Sequence, residues 1–100
     1  METIRFEKTE EGCIIYATGE IDLSNSQELR KTLLAALKTN AKVKVDLSQV
    51  QYIDSSGIAS LVEGLQFSKS NDKTFHLCNP SKQVKAIMEL ARLDKVFTII

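Results

Sequence analysis

Apolar residues in this chain switch repeatedly between two spacings, and that switching sets the fold class. Short runs in which polarity alternates are separated by longer runs in which apolar residues recur every three or four positions. Thr3-Ile4-Arg5-Phe6-Glu7 alternates as a half-buried strand does. Cys13-Ile14-Ile15-Tyr16-Ala17 follows after a short polar stretch ending in Gly12, a residue free to take the positive φ of a turn. The two runs read as an antiparallel hairpin. Gly19-Glu20-Ile21-Asp22 then breaks the strand. Ser24-Asn25-Ser26-Gln27 matches a capping box, and Leu29, Leu33, Leu34 and Leu37 follow at helical spacing, which predicts a helix from about Ser24 to Thr39. Val43-Lys44-Val45-Asp46-Leu47 reads as a strand and Ser48 to Tyr52 as a loop. Ile58, Leu61, Val62 and Leu65 mark a second helix after Asp54-Ser55-Ser56-Gly57, ending near Lys69 to Asp72. Thr74 to Cys78 is a further strand. Asn79-Pro80 reads as a cap with proline at the first helical position. Val84, Ile87, Met88 and Ala91 form the stripe of a third helix, and Lys95 to Ile100 a last strand.

The order β-β-α-β-α-β-α-β predicts an α/β fold, a mixed but mostly parallel sheet of about five strands with helices packed on it. No linker or repeat interrupts it, so residues 1–100 read as one domain. With 43% apolar residues a chain of 100 can close a core, yet it has little room for a deep substrate cavity. That favours an interaction module over an enzyme.

Lys plus Arg and Asp plus Glu both count 13, and the basic residues are scattered, so no direct nucleic-acid contact is expected. Cys13 and Cys78 each sit in an apolar run outside any C-x-x-C pair, as buried free thiols of a reducing compartment do. With no signal-like N-terminus and no apolar run near the ~20 residues that span a bilayer, a cytoplasmic location is expected.

In an open α/β sheet, ligands and partners meet the edge where strands end and helices begin. Gly19 to Asp22, Asp46 to Ser48 and Asp54 to Gly57 are expected to converge there. Glu20, Asp22, Asp46 and Asp54 would then lie near the hydroxyls of Ser55 and Ser56. Asp54, Ser55 or Ser56 can act simply as a helix cap. The same segment can also accept phosphate, which would add about −1.5 to −2 charges at a helix start, where helix amides are expected to accommodate an anion. Ser56, Ser60 and Gly64 form a small-residue stripe beside Glu63 and Phe67, which reads either as a docking groove or as close helix packing. His76 has no local metal partner and reads as structural. No nucleophile elbow or phosphate-binding glycine loop is present, and no motif calls for a metal or cofactor.

Three segments together, Gly19-Glu20-Ile21-Asp22, Val45-Asp46-Leu47-Ser48 and Tyr52-Ile53-Asp54-Ser55-Ser56-Gly57, closely resemble the STAS domain of bacterial anti-sigma factor antagonists. The resemblance covers the whole chain. It implies a non-catalytic partner switch that binds an anti-sigma factor with serine kinase activity and is restored by a serine phosphatase. It implies Ser55 as phosphoacceptor, with Ser56 the second choice. Asp22, Asp54, Ser55, Ser56, Gly57, Ser60 and Gly64 would form the partner surface. Gly57-Ile58-Ala59 departs from the family's usual Gly-Leu-Gly, and the chain stops at Ile100 without the family's common final helix. Both features resemble the small STAS subunits of lipid-transport ABC systems, which implies the alternative of a regulatory subunit docked on permease or ATPase subunits.

Overall fold

Alternate β-branched and aliphatic residues build the two long central strands. β2 (Cys13–Ile21) turns Cys13, Ile15, Ala17 and Ile21 inward. β3 (Lys42–Ile53) does the same with Val43, Val45, Leu47, Val50 and Ile53. The two pair in parallel, flanked by β1 (Ile4–Lys8), antiparallel to β2, and β4 (Thr74–Cys78), parallel to β3. The sheet order is β1-β2-β3-β4. α1 (Ser26–Thr39), α2 (Ser55–Ser70) and α3 (Lys82–Leu90) complete the chain. This computed structural model describes residues 3–100. Leu29, Leu33 and Leu37 of α1, Leu61 and Leu65 of α2, and Val84 and Met88 of α3 join one core with the inward sheet residues. The helices therefore share one face of the sheet. Among the described residues no helix is long and apolar enough to cross a membrane.

The α/β class and the mixed, mostly parallel sheet stand as expected, but the sheet has four strands rather than five. The C-terminal run adds only a bridge, Leu77 to Ile99. A turn closed by Val96 N–H donating to Leu93 O and the burial of Phe97 in the core leave only the last residues to pair. β2 also does not break at Gly19. It bends there, with Gly19 at φ 78°, and runs on to Ile21.

The expected loop from Ser48 to Tyr52 is strand. β3 continues to Ile53 by absorbing register shifts against β2 between Tyr16 and Thr18 and between Gly19 and Glu20. Such bulges break the alternation on which sequence reading relies. Along β3, β4 pairs with Lys42 to Asp46. Beyond that, Ser81 serves the exposed edge of β3, its N–H donating to Leu47 O at 3.2 Å and its hydroxyl to Val50 O.

The helix starts also moved. α1 has Asn25 rather than Ser24 at its N-cap and no side-chain cap, because the Asn25 amide is engaged with Asp22 N–H and Glu20 O, while the Ser24 hydroxyl donates to Asp22. α3 is capped by Ser81, whose oxygen accepts from Val84 N–H at 3.1 Å, so Pro80 lies outside the helix, and Asn79 before it has a left-handed φ of 49°. Gly12 does not have a positive φ. Its glycine is required by space, since a Cβ there would stand 1.9 Å from Lys42 O.

Ser60 and Gly64 lie on the buried stripe of α2. The Ser60 hydroxyl donates to Ser26 O at 2.9 Å and Ser56 O at 3.1 Å, tying α2 to α1, and Arg30 pairs with Glu63 at the rim of the same contact. A Cβ on Gly64 would be 3.3 Å from Phe75 Cζ and 3.5 Å from Leu33 Cδ1. The stripe is therefore helix packing, and no partner can reach it as a groove. Gly64→Leu should destabilise the protein by about 1–3 kcal/mol through overpacking, read as a lower denaturation midpoint with an unchanged m value.

Candidate functional site

β2 and β3 end side by side, with Ile21 paired to Ile53. Asp54 N–H donates to Ile21 O at 3.0 Å, so Asp22 and Asp54 leave the ladder as neighbours. α2 starts at once from this end. Gly57 allows it: a Cβ there would lie 2.6 Å from Ile53 Cγ1 and 2.7 Å from Ile21 Cγ2. Gly57 is buried, so its place in the expected partner surface is corrected to that of a spacer beneath it.

Asp54 is the N-cap of α2. Its Oδ1 accepts from Ser56 N–H at 2.9 Å, the Ser56 hydroxyl at 2.6 Å and Gly57 N–H at 3.0 Å. The Ser56 hydroxyl first, then the Gly57 and Ser56 amides, outweigh the small opposing effect of burial and hold the Asp54 carboxyl below its ordinary value. Ile58 N–H is taken by Asp54 O. Of the first four N–H groups of α2, only that of Ser55 is left. The expected welcome for phosphate by free helix amides is thus corrected, because a carboxylate already occupies that position.

Ser55 is exposed, and no hydrogen bond among the described residues engages its hydroxyl. Ser56 is half-buried with its hydroxyl committed to Asp54. The two serines the sequence left as competitors therefore differ in kind.

Asp22 repeats the geometry. Its Oδ1 accepts from Ser24 N–H at 2.9 Å and the Ser24 hydroxyl at 2.5 Å, while Asn25 donates to Glu20 O at 2.8 Å and accepts from Asp22 N–H at 2.9 Å. Asp46 makes the same turn with Ser48, at 2.9 Å and 2.6 Å, and also accepts from Asn79 at 3.3 Å. Burial pushes the Asp46 carboxyl up, but Ser48 and Asn79 outweigh it and leave it lowered. Asp46 does not join the site. It pairs with Tyr16, five residues before Ile21 on β2, roughly 16 Å along the strand. The continuation of β3 through Ile53 causes this separation.

Two apolar residues that the sequence reading gave no site role border the site, although Tyr52 opens one of the quoted segments. Leu23 is 81% exposed in the turn after Asp22, and Tyr52 is 46% exposed beside Glu20. A leucine inside an Asp-Leu-Ser turn was the signal available in the sequence. Cys13 and Cys78 are buried free thiols, and burial raises both above their ordinary value; Asp46 adds to the rise at Cys78.

A family model described as "Mlab, STAS domain" matches residues 4–100. The chain belongs to the STAS domain family. It is 26% identical over 82 residues to the anti-sigma-B factor antagonist of Staphylococcus epidermidis, covering 81% of this chain and 76% of that protein. Among solved structures, an anti-sigma factor antagonist from Mycobacterium paratuberculosis superposes with a TM-score of 0.84 at 21% identity, over 97% of this chain and 83% of the other. The anti-sigma factor antagonist SpoIIAA in its unphosphorylated form gives 0.80 at 19% identity, over 97% and 87%. These likenesses show that the STAS fold extends over nearly the whole chain.

The Asp54 cap has a pH signature. Its folded value is depressed, so its contribution is present above the ordinary value of 3.8 and is lost as pH falls through the lower folded value. Asp54→Ala should lower Tm by several degrees at neutral pH, and the gap from wild type should narrow under acid. Thermal melts followed by circular dichroism across that range check both statements.

Proposed function

We propose that this chain is an anti-sigma factor antagonist whose hold on an anti-sigma factor is released by phosphate on Ser55. The relatives named above support the antagonist role. One observation supports the switch: of the serines at 24, 48, 55 and 56, only Ser55 has a hydroxyl not held by an aspartate, and it is exposed.

The partner would be an anti-sigma factor that is also a serine kinase. The Ser55 oxygen attacks the γ-phosphorus of ATP, the bond to the bridging oxygen of ADP breaks, and the hydroxyl proton is released. A serine phosphatase returns the hydroxyl by transferring the phosphoryl group to water. Asp22, Asp54, Ser55 and Ser56 form the contact rim, with Asp54 holding the segment in one shape. Ser60, Gly64 and Gly57 act from beneath it by fixing α2.

The switch works because the added anion has nowhere to go within the fold. Asp54 fills the helix start, and Asp22 stands at the neighbouring strand end. Phosphate would therefore project from the surface and oppose any acidic or tightly packed partner. Like-charge contacts across an interface cost several kcal/mol, and about 1.4 kcal/mol is tenfold in affinity.

Calorimetric titration against the co-purified partner tests this reading. Ser55→Ala should bind as wild type does. Ser55→Asp and the phosphoprotein should bind at least about tenfold more weakly, with Tm nearly unchanged. Equal affinity for all four forms would remove the switch and favour the constitutive subunit of a lipid-transport ABC complex.

A further inference from the structure

With all three helices on one side, the other side of the sheet is left to the alternate strand positions. The register sets these in rows. Glu7 lies opposite Ile14, and Ile14 beside Lys44. In the next row Arg5 lies opposite Tyr16, and Tyr16 beside Asp46. The Arg5 guanidinium stands 4.7 Å over the Tyr16 ring, which fixes both on this face. Ile14 and Tyr16 are half-buried, whereas Ile15 between them is fully buried on the helix side.

Each row across β1, β2 and β3 therefore reads charge, apolar, opposite charge. One row is negative, isoleucine, positive. The next is positive, tyrosine, negative. Glu7 and Lys44 are two strands apart, about 10 Å, and neither takes part in an ion pair within the chain among the described residues.

This pattern is complementary to itself. A two-fold axis along β2 lays β1 of one copy over β3 of another. Glu7 then meets Lys44 of the second copy, Arg5 meets its Asp46, and Ile14 and Tyr16 meet their own kind. A two-fold axis across the strands sets Glu7 over Arg5 and Lys44 over Asp46. Both isologous arrangements pair unlike charges around an apolar centre.

We propose that two copies of this chain associate face to face through the open side of the sheet. Aligned sheets pack in this way about 10 Å apart. Three strands of about 4.8 Å by the five residues of β1 at about 3.3 Å each cover on the order of 240 Å², well below the ~800 Å² per partner of a standard interface. The dimer is therefore weak and reversible. It does not depend on the Ser55 reading, since α2 starts from the helix-covered side.

Analytical ultracentrifugation of the whole chain up to about 1 mM tests it, a range that covers dissociation constants of micromolar to millimolar. Wild type should self-associate, less so as salt is raised. Glu7→Lys should weaken association at least about tenfold, because it sets like charges opposite each other, while Tm stays unchanged. Mixing Glu7→Lys with Lys44→Glu restores association if the axis runs along β2. Mixing it with Arg5→Glu restores association if the axis crosses the strands. A wild type that stays monomeric at 1 mM, a Glu7→Lys variant that associates as wild type does, or rescue by neither mixture overturns the proposal.

Discussion

Parallel pairing of β2 with β3 carries the rest of the molecule. The ladder places the inward residues of both strands under the helices. It also brings two chain crossings to one edge, so that the turn into α1 and the turn into α2 start as neighbours. The closing bond, Asp54 N–H to Ile21 O, belongs to the ladder and to the site at once. A weaker pairing there would separate the two aspartates before any helix moved.

Small residues transmit this constraint. Gly57 lets α2 start directly above Ile21 and Ile53. Ser60 fastens α2 to the start of α1 through Ser26 O, and Gly64 lets the helix settle on Phe75 and Leu33. The surface at Ser55 is therefore held from below by packing and from the side by one carboxylate. An added charge can alter what the surface repels without altering its shape.

What could be read from the sequence was what is encoded locally. The helical stripes of α1 and α2 depend on residues three or four positions apart, and they stand as read; of the three caps left open for α2, Asp54 is the one that forms. The end of β3 does not. Ser48, Gln49 and Gln51 look like a loop because the bulges destroy alternation, and only the partner strand makes them strand. Asn25 and Ser81 displaced the expected caps, and both also bond backbone groups outside their helices, Asn25 to Glu20 O and Ser81 to Val50 O, the latter partner thirty-one residues away in sequence. Ser60 and Gly64 were ambiguous for a simpler reason: side-chain size says nothing about which way a stripe faces. The separation of Asp46 from Asp54 follows from the same unread bulges.

The two thiols bear on the conditions under which such a surface operates. Cys13 is inside the sheet and Cys78 at the end of β4, both buried and both poorer acids than a free cysteine. Oxidants and electrophiles react with thiolates, and neither residue offers one to solvent. Under peroxide or disulfide stress neither position would thus give an oxidant a thiolate to attack, and the sheet built around them would keep its packing while redox-sensitive proteins nearby were being modified.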